Sequence, residues 1–110
     1  MITATIYRHG DSYAGYLVEG HAEYAATGED ILCAAVSVLA ENTLNSIEQL
    51  TDTEVSAQVE EGFLQCSFPG GMKDEACLLM ESMILGLSQI AEITDAEDSG
   101  HFLTLLFEEV

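Results

Sequence analysis

Apolar and polar side chains alternate at the start of the chain. Ile2, Ala4 and Ile6 share one parity and Thr3, Thr5 and Tyr7 the other, which predicts a half-buried strand over residues 2–8. His9-Gly10-Asp11-Ser12 is a turn cluster, and residues 13–19 form a second β-rich run, so the two predict a hairpin. Residues 20–29 are small and polar and predict a loop. From residue 30 the period changes. Ile31, Ala34, Ala35, Val38 and Leu39 recur at helical spacing, and Leu44 and Ile47 carry the pattern on, predicting a helix over residues 30–50. Alternation returns over 53–60, Glu61-Gly62 signals a tight turn, and 63–68 predicts the returning strand. Pro69-Gly70-Gly71 interrupts the pattern. Ala76, Leu79, Met80, Met83, Ile84, Leu87, Ile90 and Ala91 then form one apolar stripe, predicting a helix over 73–91 with Met80 and Met83 as core fillers. Residues 94–100 predict an acidic loop and 101–108 a last strand.

The order ββαββαβ predicts an α/β (α+β) two-layer sandwich, a mostly antiparallel five-stranded sheet with both helices on one face. No linker or low-complexity segment divides the 110 residues. A chain of this length buries about 65% of its unfolded surface, enough for one core, so a single domain is expected over residues 1–110.

Charge changes the picture next. Twenty acidic side chains face two basic ones, Arg8 and Lys73, for a net charge of −18. With 48% hydrophobic residues the chain is not a disordered acidic tail. Phosphate backbones and anionic membranes are bound through clustered Lys and Arg, which this sequence lacks, so neither direct nucleic-acid binding nor membrane adhesion is expected. A basic protein partner is compatible with the charge; plain solubility is the simpler use of it. The start lacks a basic segment followed by an apolar one, and uncharged apolar stretches such as residues 31–40 fall short of a membrane span. Three cysteines (Cys33, Cys66, Cys77) are an odd number, and no CxxC pair or HExxH occurs. A reducing cytoplasm, no metal and no cofactor are therefore expected.

Candidate chemistry centres on Cys33. It falls in the first turn or so of the first predicted helix, where unpaired N–H groups and the positive end of the helix dipole favour a thiolate and could hold an oxyanion. The plain alternative is a small buried cysteine on the Ala34/Ala35 side. His21 stands twelve residues earlier, after Gly20, at the mouth of a loop long enough to fold back on the helix start. Cys and His are the minimum for thiol catalysis, although an ordinary loop histidine has the same spacing. Asp30, Cys33 and Ser37 share one helix stripe. Asp30 either caps the helix or orients His21; Ser37 either donates to sulfur or substrate or is a surface serine. Cys66 alternates with Leu64 and Phe68 only in part, and Cys77 lies beside the second apolar stripe; both suit packing better than catalysis. His9 and His101 read as turn and strand residues, and a cation site in residues 95–98 lacks the spacing of a calcium loop.

The segment Gly20-His21-Ala22, followed by Gly28-Glu29-Asp30-Ile31-Leu32-Cys33-Ala34-Ala35-Val36-Ser37, resembles the ribosomal-processing cysteine protease family, and the likeness extends over essentially the whole chain. The resemblance implies a cysteine endopeptidase that removes the short N-terminal extension of a large-subunit ribosomal protein, cutting after an aromatic residue. It implies Cys33 as nucleophile, His21 as general base and acid, Asp30 and Ser37 near the dyad, a homodimer, and a mobile cover formed by the loop between His21 and Cys33. Gly20 would supply hinge freedom to that loop, and Ala34 and Ala35 room for a bulky substrate side chain. The alternative function is a non-enzymatic acidic assembly factor that holds a basic ribosomal protein.

Overall fold

The structure, a computed structural model, describes the backbone of all residues except 21–28 and 97–101, and the side chains of those described residues other than 29, 30 and 94–96. β1 (Ile2–His9) and β2 (Ser12–Glu19) form the first hairpin around Gly10-Asp11. α1 (Glu29–Leu50) follows, then the hairpin of β3 (Ser56–Glu60) and β4 (Phe63–Ser67), α2 (Asp74–Ala96) and β5 (Leu103–Glu109). Strand order is β3-β4-β2-β1-β5. Three pairings are antiparallel and the last, β1 with β5, is parallel, because α2 carries the chain back to the end of the sheet from which β1 starts. The two hairpins meet through their second strands, β2 and β4, at the middle of the sheet.

The register puts one apolar row on the helix side. Ile6 pairs with Tyr16 and Tyr16 with Cys66; Ala4 pairs with Val18 and Val18 with Leu64; Ile2 pairs with Leu103. All of these are buried, in one cluster with Val36, Ala40, Leu44 and Ile47 of α1 and Ala76, Met80, Met83 and Leu87 of α2. Met80 and Met83 are fully buried, as their place in the stripe implies. α1 and α2 pack on each other where Gly86 faces Leu39: a Cβ on Gly86 would lie 2.7 Å from Leu39 Cδ2. Ala57 and Val59 of β3 pair with Cys66 and Leu64 and so share the helix side, yet they are exposed, because the helix layer ends over β4.

Several boundaries differ from the sequence expectation. β3 begins at Ser56 rather than residue 53, because Thr51 holds the chain in a turn: its Oγ1 donates to Ile47 O at the end of α1 and lies 2.8 Å from Thr53 Oγ1. α2 extends five residues past 91, through Thr94 and Asp95, where the sequence predicts a loop; no Gly or Pro stands before Gly100 to stop it. β5 begins at Leu103 rather than 101. α2 also overturns the expectation about spans: residues 74–93 have a mean hydropathy of 1.4 and are long and apolar enough to cross a bilayer by composition. In the fold, the stripe of Ala76, Met80, Met83 and Leu87 is core instead.

Candidate active site

Cys33 is the fifth residue of α1 and stands at the head of its inward stripe. Positions 33, 36, 40, 44 and 47 follow the i, i+3, i+7 spacing of one helix face. Val36, Ala40, Leu44 and Ile47 are buried, whereas Cys33 is half-buried and packs against the rim of the core. The free thiol is thus held on its inner side and accessible on its outer side, just past the first turn of α1, whose N–H groups lack intrahelical partners. The Ala34/Ala35 side is the wrong one for it. Both alanines are exposed and sit about 100° and 200° around the helix from Cys33, so they do not make room beside the sulfur.

That room lies one turn further along. A shallow pocket is floored by Ile2, Val18, Val36, Ala40 and Leu64 and edged by Gly20, Ser37, Glu41, Glu60, Gly62 and Phe63, with a water-accessible volume of about 40 Å³. Ser37 is exposed at its edge, one helical turn from Cys33. Asp30 lies in the first turn of α1, one turn before Cys33, and its side chain lies outside the described residues, as do His21 and its loop. Cap and orienter therefore both stay open for Asp30.

Gly20 marks where the chain leaves the sheet for His21. Its φ is +101°, its N–H donates to Gly62 O at 3.0 Å, and a Cβ there would lie 2.4 Å from Met1 O. Glycine is required for its left-handed backbone and for the close approach of Met1. Gly20 thus holds a fixed place in the lining of the pocket that α1 also lines, and His21 follows it in the chain.

The other cysteines differ in kind. Cys66 alternates fully with Leu64 and Phe68, all three buried, which is stricter than the sequence suggested. Burial pushes its thiol up to about 12, against some lowering by the Tyr16 hydroxyl and backbone. Burial, and next the Cys66 thiol, likewise push the Tyr16 phenol well above its usual range. The Tyr16 hydroxyl donates to Ala40 O at 2.8 Å, tying β2 to α1 two turns below Cys33. Cys77 Sγ lies 3.7 Å from Ser12 Oγ, beside the start of α2. His9 ends β1, its Nδ1 3.0 Å from Val110 O, and His101 lies outside the described residues. Among the described residues no group of three His, Cys, Asp or Glu side chains is placed to hold a metal. The sequence carries no signal for the pocket residues Glu41, Gly62 and Phe63; Glu41, eight residues after Cys33, lies about 80° around the helix from it.

Comparison with known proteins adds the chemistry. Residues 1–97 match the family model described as cysteine protease Prp. The chain is 33% identical over 97 residues, 82% of its length and 87% of the relative's, to the ribosomal processing cysteine protease Prp of Bacillus subtilis. The crystal structure of SMU.848 from Streptococcus mutans superposes with a TM-score of 0.81 at 31% identity, covering 100% of this chain and 96% of that one. The Prp structure from S. aureus in complex with a covalently linked product peptide has the same fold, with a TM-score of 0.82 at 24% identity, covering 98% of this chain and 100% of that one.

Proposed function

The chain belongs to the family of the cysteine protease Prp, and from that premise we propose that it cleaves the N-terminal extension from a large-subunit ribosomal protein, with Cys33 as nucleophile and His21 as general base and acid. The observation that carries the proposal is the position of Cys33: a half-exposed free thiol just past the first turn of α1, one turn from a pocket that is also lined by Gly20, the residue before His21.

The steps follow from those groups. His21 takes the thiol proton, and the Cys33 thiolate attacks the scissile carbonyl carbon, forming a C–S bond. Negative charge moves to the carbonyl oxygen, where N–H groups at the start of α1 are suited to receive it. The C–N bond then breaks as His21 returns its proton to the leaving amine. Water, deprotonated by His21, hydrolyses the thioester and regenerates the thiol. No metal or cofactor takes part. Cleavage of an extension-bearing ribosomal protein should vanish in Cys33→Ala and fall by orders of magnitude in His21→Ala with the substrate still bound. Undiminished cleavage by Cys33→Ala, with loss on neutralising the acidic surface instead, would establish the assembly factor in its place.

The remaining parts of the proposal concern setting. A cytoplasmic enzyme acting on a basic protein free of RNA suits a chain of net charge −18 with two cations. Homodimerisation is supported by apolar side chains left exposed on the outer face of α2, Leu78 and Leu85, two turns apart. Sedimentation at micromolar concentration should give a dimer, and Leu85→Glu a monomer.

A further inference from the structure

We propose that Glu41 is a specificity-determining residue: its carboxylate selects substrates carrying a Lys or Arg three or four positions from the scissile bond. The inference rests on the protease reading above and deepens it.

The pocket one turn beyond Cys33 has an apolar floor, and the residues at its edge include two acidic ones, Glu41 and Glu60. Register separates them. Val59 pairs with Leu64, whose side chain is in the core, so Glu60 and its partner Phe63 alternate to the opposite face of the sheet. Glu41 is on the helix, exposed, one turn beyond Ser37 and next to buried Ala40. It is therefore the carboxylate on the side of the sheet that faces the thiol. Eight residues separate it from Cys33, a rise of about 12 Å along the helix. An extended peptide spans that distance in about three to four residues at roughly 3.3 Å each. A substrate whose scissile carbonyl sits at Cys33 and whose chain follows α1 across the pocket thus brings a side chain at that separation to Glu41. The carboxylate accepts charge-assisted hydrogen bonds from an ammonium or guanidinium there.

The test separates this contact from the general field of an acidic protein. Paired peptides, with Lys or Met at one position walked from two to six residues on each side of the scissile bond, compete for the enzyme, and their kcat/KM ratio is read directly. Wild type should prefer Lys most strongly at three or four residues, by about two- to fivefold, the range for an exposed ion pair. Glu41→Gln, nearly isosteric on an exposed site, should erase that maximum by raising KM on the Lys peptides, so that the Lys-to-Met ratio no longer peaks at three or four residues. Glu48→Gln makes the same change in net charge about 22 Å from Cys33 along the helix and should retain the maximum. In Glu41→Lys the preference should invert toward a Glu-bearing peptide. An equal loss in Glu41→Gln and Glu48→Gln, or no loss in either, overturns the role of Glu41 while cleavage itself stands. Failure of wild type to cleave any of the peptides or the extension-bearing protein would instead overturn the protease reading.

Discussion

At Gly20, the residue before the candidate base, a single hydrogen in place of a methyl group lets the backbone pass close to Met1. A Cβ there would lie 2.4 Å from Met1 O on a backbone with φ of +101°. Gly20→Ala should lower stability by about 1–3 kcal/mol, measured by urea unfolding, and lower cleavage further by moving His21. Cys66 makes a second prediction at this scale. Its thiol ionises near 9.0 in an unfolded chain and near 12 when folded. Between those values the unfolded chain loses a proton that the folded one keeps. Stability held below about pH 9 is therefore lost as pH rises toward 12, at up to about 1.4 kcal/mol per pH unit. Tyr16 adds to the loss from its ordinary value of 10.0 upward. Cys66→Ala should be less stable at neutral pH yet flatter between pH 9 and 10. Cys33, His21, Asp30 and Ser37 were legible as candidates because reactive residue types at fixed spacing survive in one dimension. The pocket was not, because Ile2, Gly20, Glu41 and Gly62 are brought together only by the meeting of β1, β2, β4 and α1.

Elements carry the next level of control. α1 packs tightly only from Val36 onward; before it, Ile31, Ala34 and Ala35 are exposed and Cys33 is half-buried. A helix anchored below and open above is how one element serves both core and site. The Tyr16–Ala40 hydrogen bond is part of that anchor. Tyr16→Phe should cost about 0.5–1.5 kcal/mol in denaturant unfolding. Periodicity showed all seven elements, six of them through a buried face and β3 through alternation alone, since all five of its residues are exposed. Ends escaped it where side chains rather than period set the boundary: Thr51 capping α1, and α2 running on through acidic residues. The parallel pairing of β5 also had no local signal, because it depends on the direction in which α2 returns the chain.

For the whole molecule, the charge of −18 has few internal counterweights. Arg8 lies over the rings of Phe107 and Tyr13, at 4.8 and 5.8 Å, and Lys73 is 3.9 Å from Asp52. Both cations thus have local partners, and the acidic field extends to solvent. Capture of a basic substrate should weaken with salt, so kcat/KM should fall several-fold between about 0.05 and 0.5 M salt while kcat changes little, measured by initial rates. What the molecule does with a captured chain rests on one sulfur. The most direct measurement is mass spectrometry of the protein quenched during turnover of a peptide ester carrying the acyl half of the substrate. The account predicts one hydroxylamine-labile acyl group per chain, located by fragmentation on Cys33 and absent from Cys33→Ala. An acyl group on Cys66 or Cys77, or turnover that persists in Cys33→Ala, would contradict it.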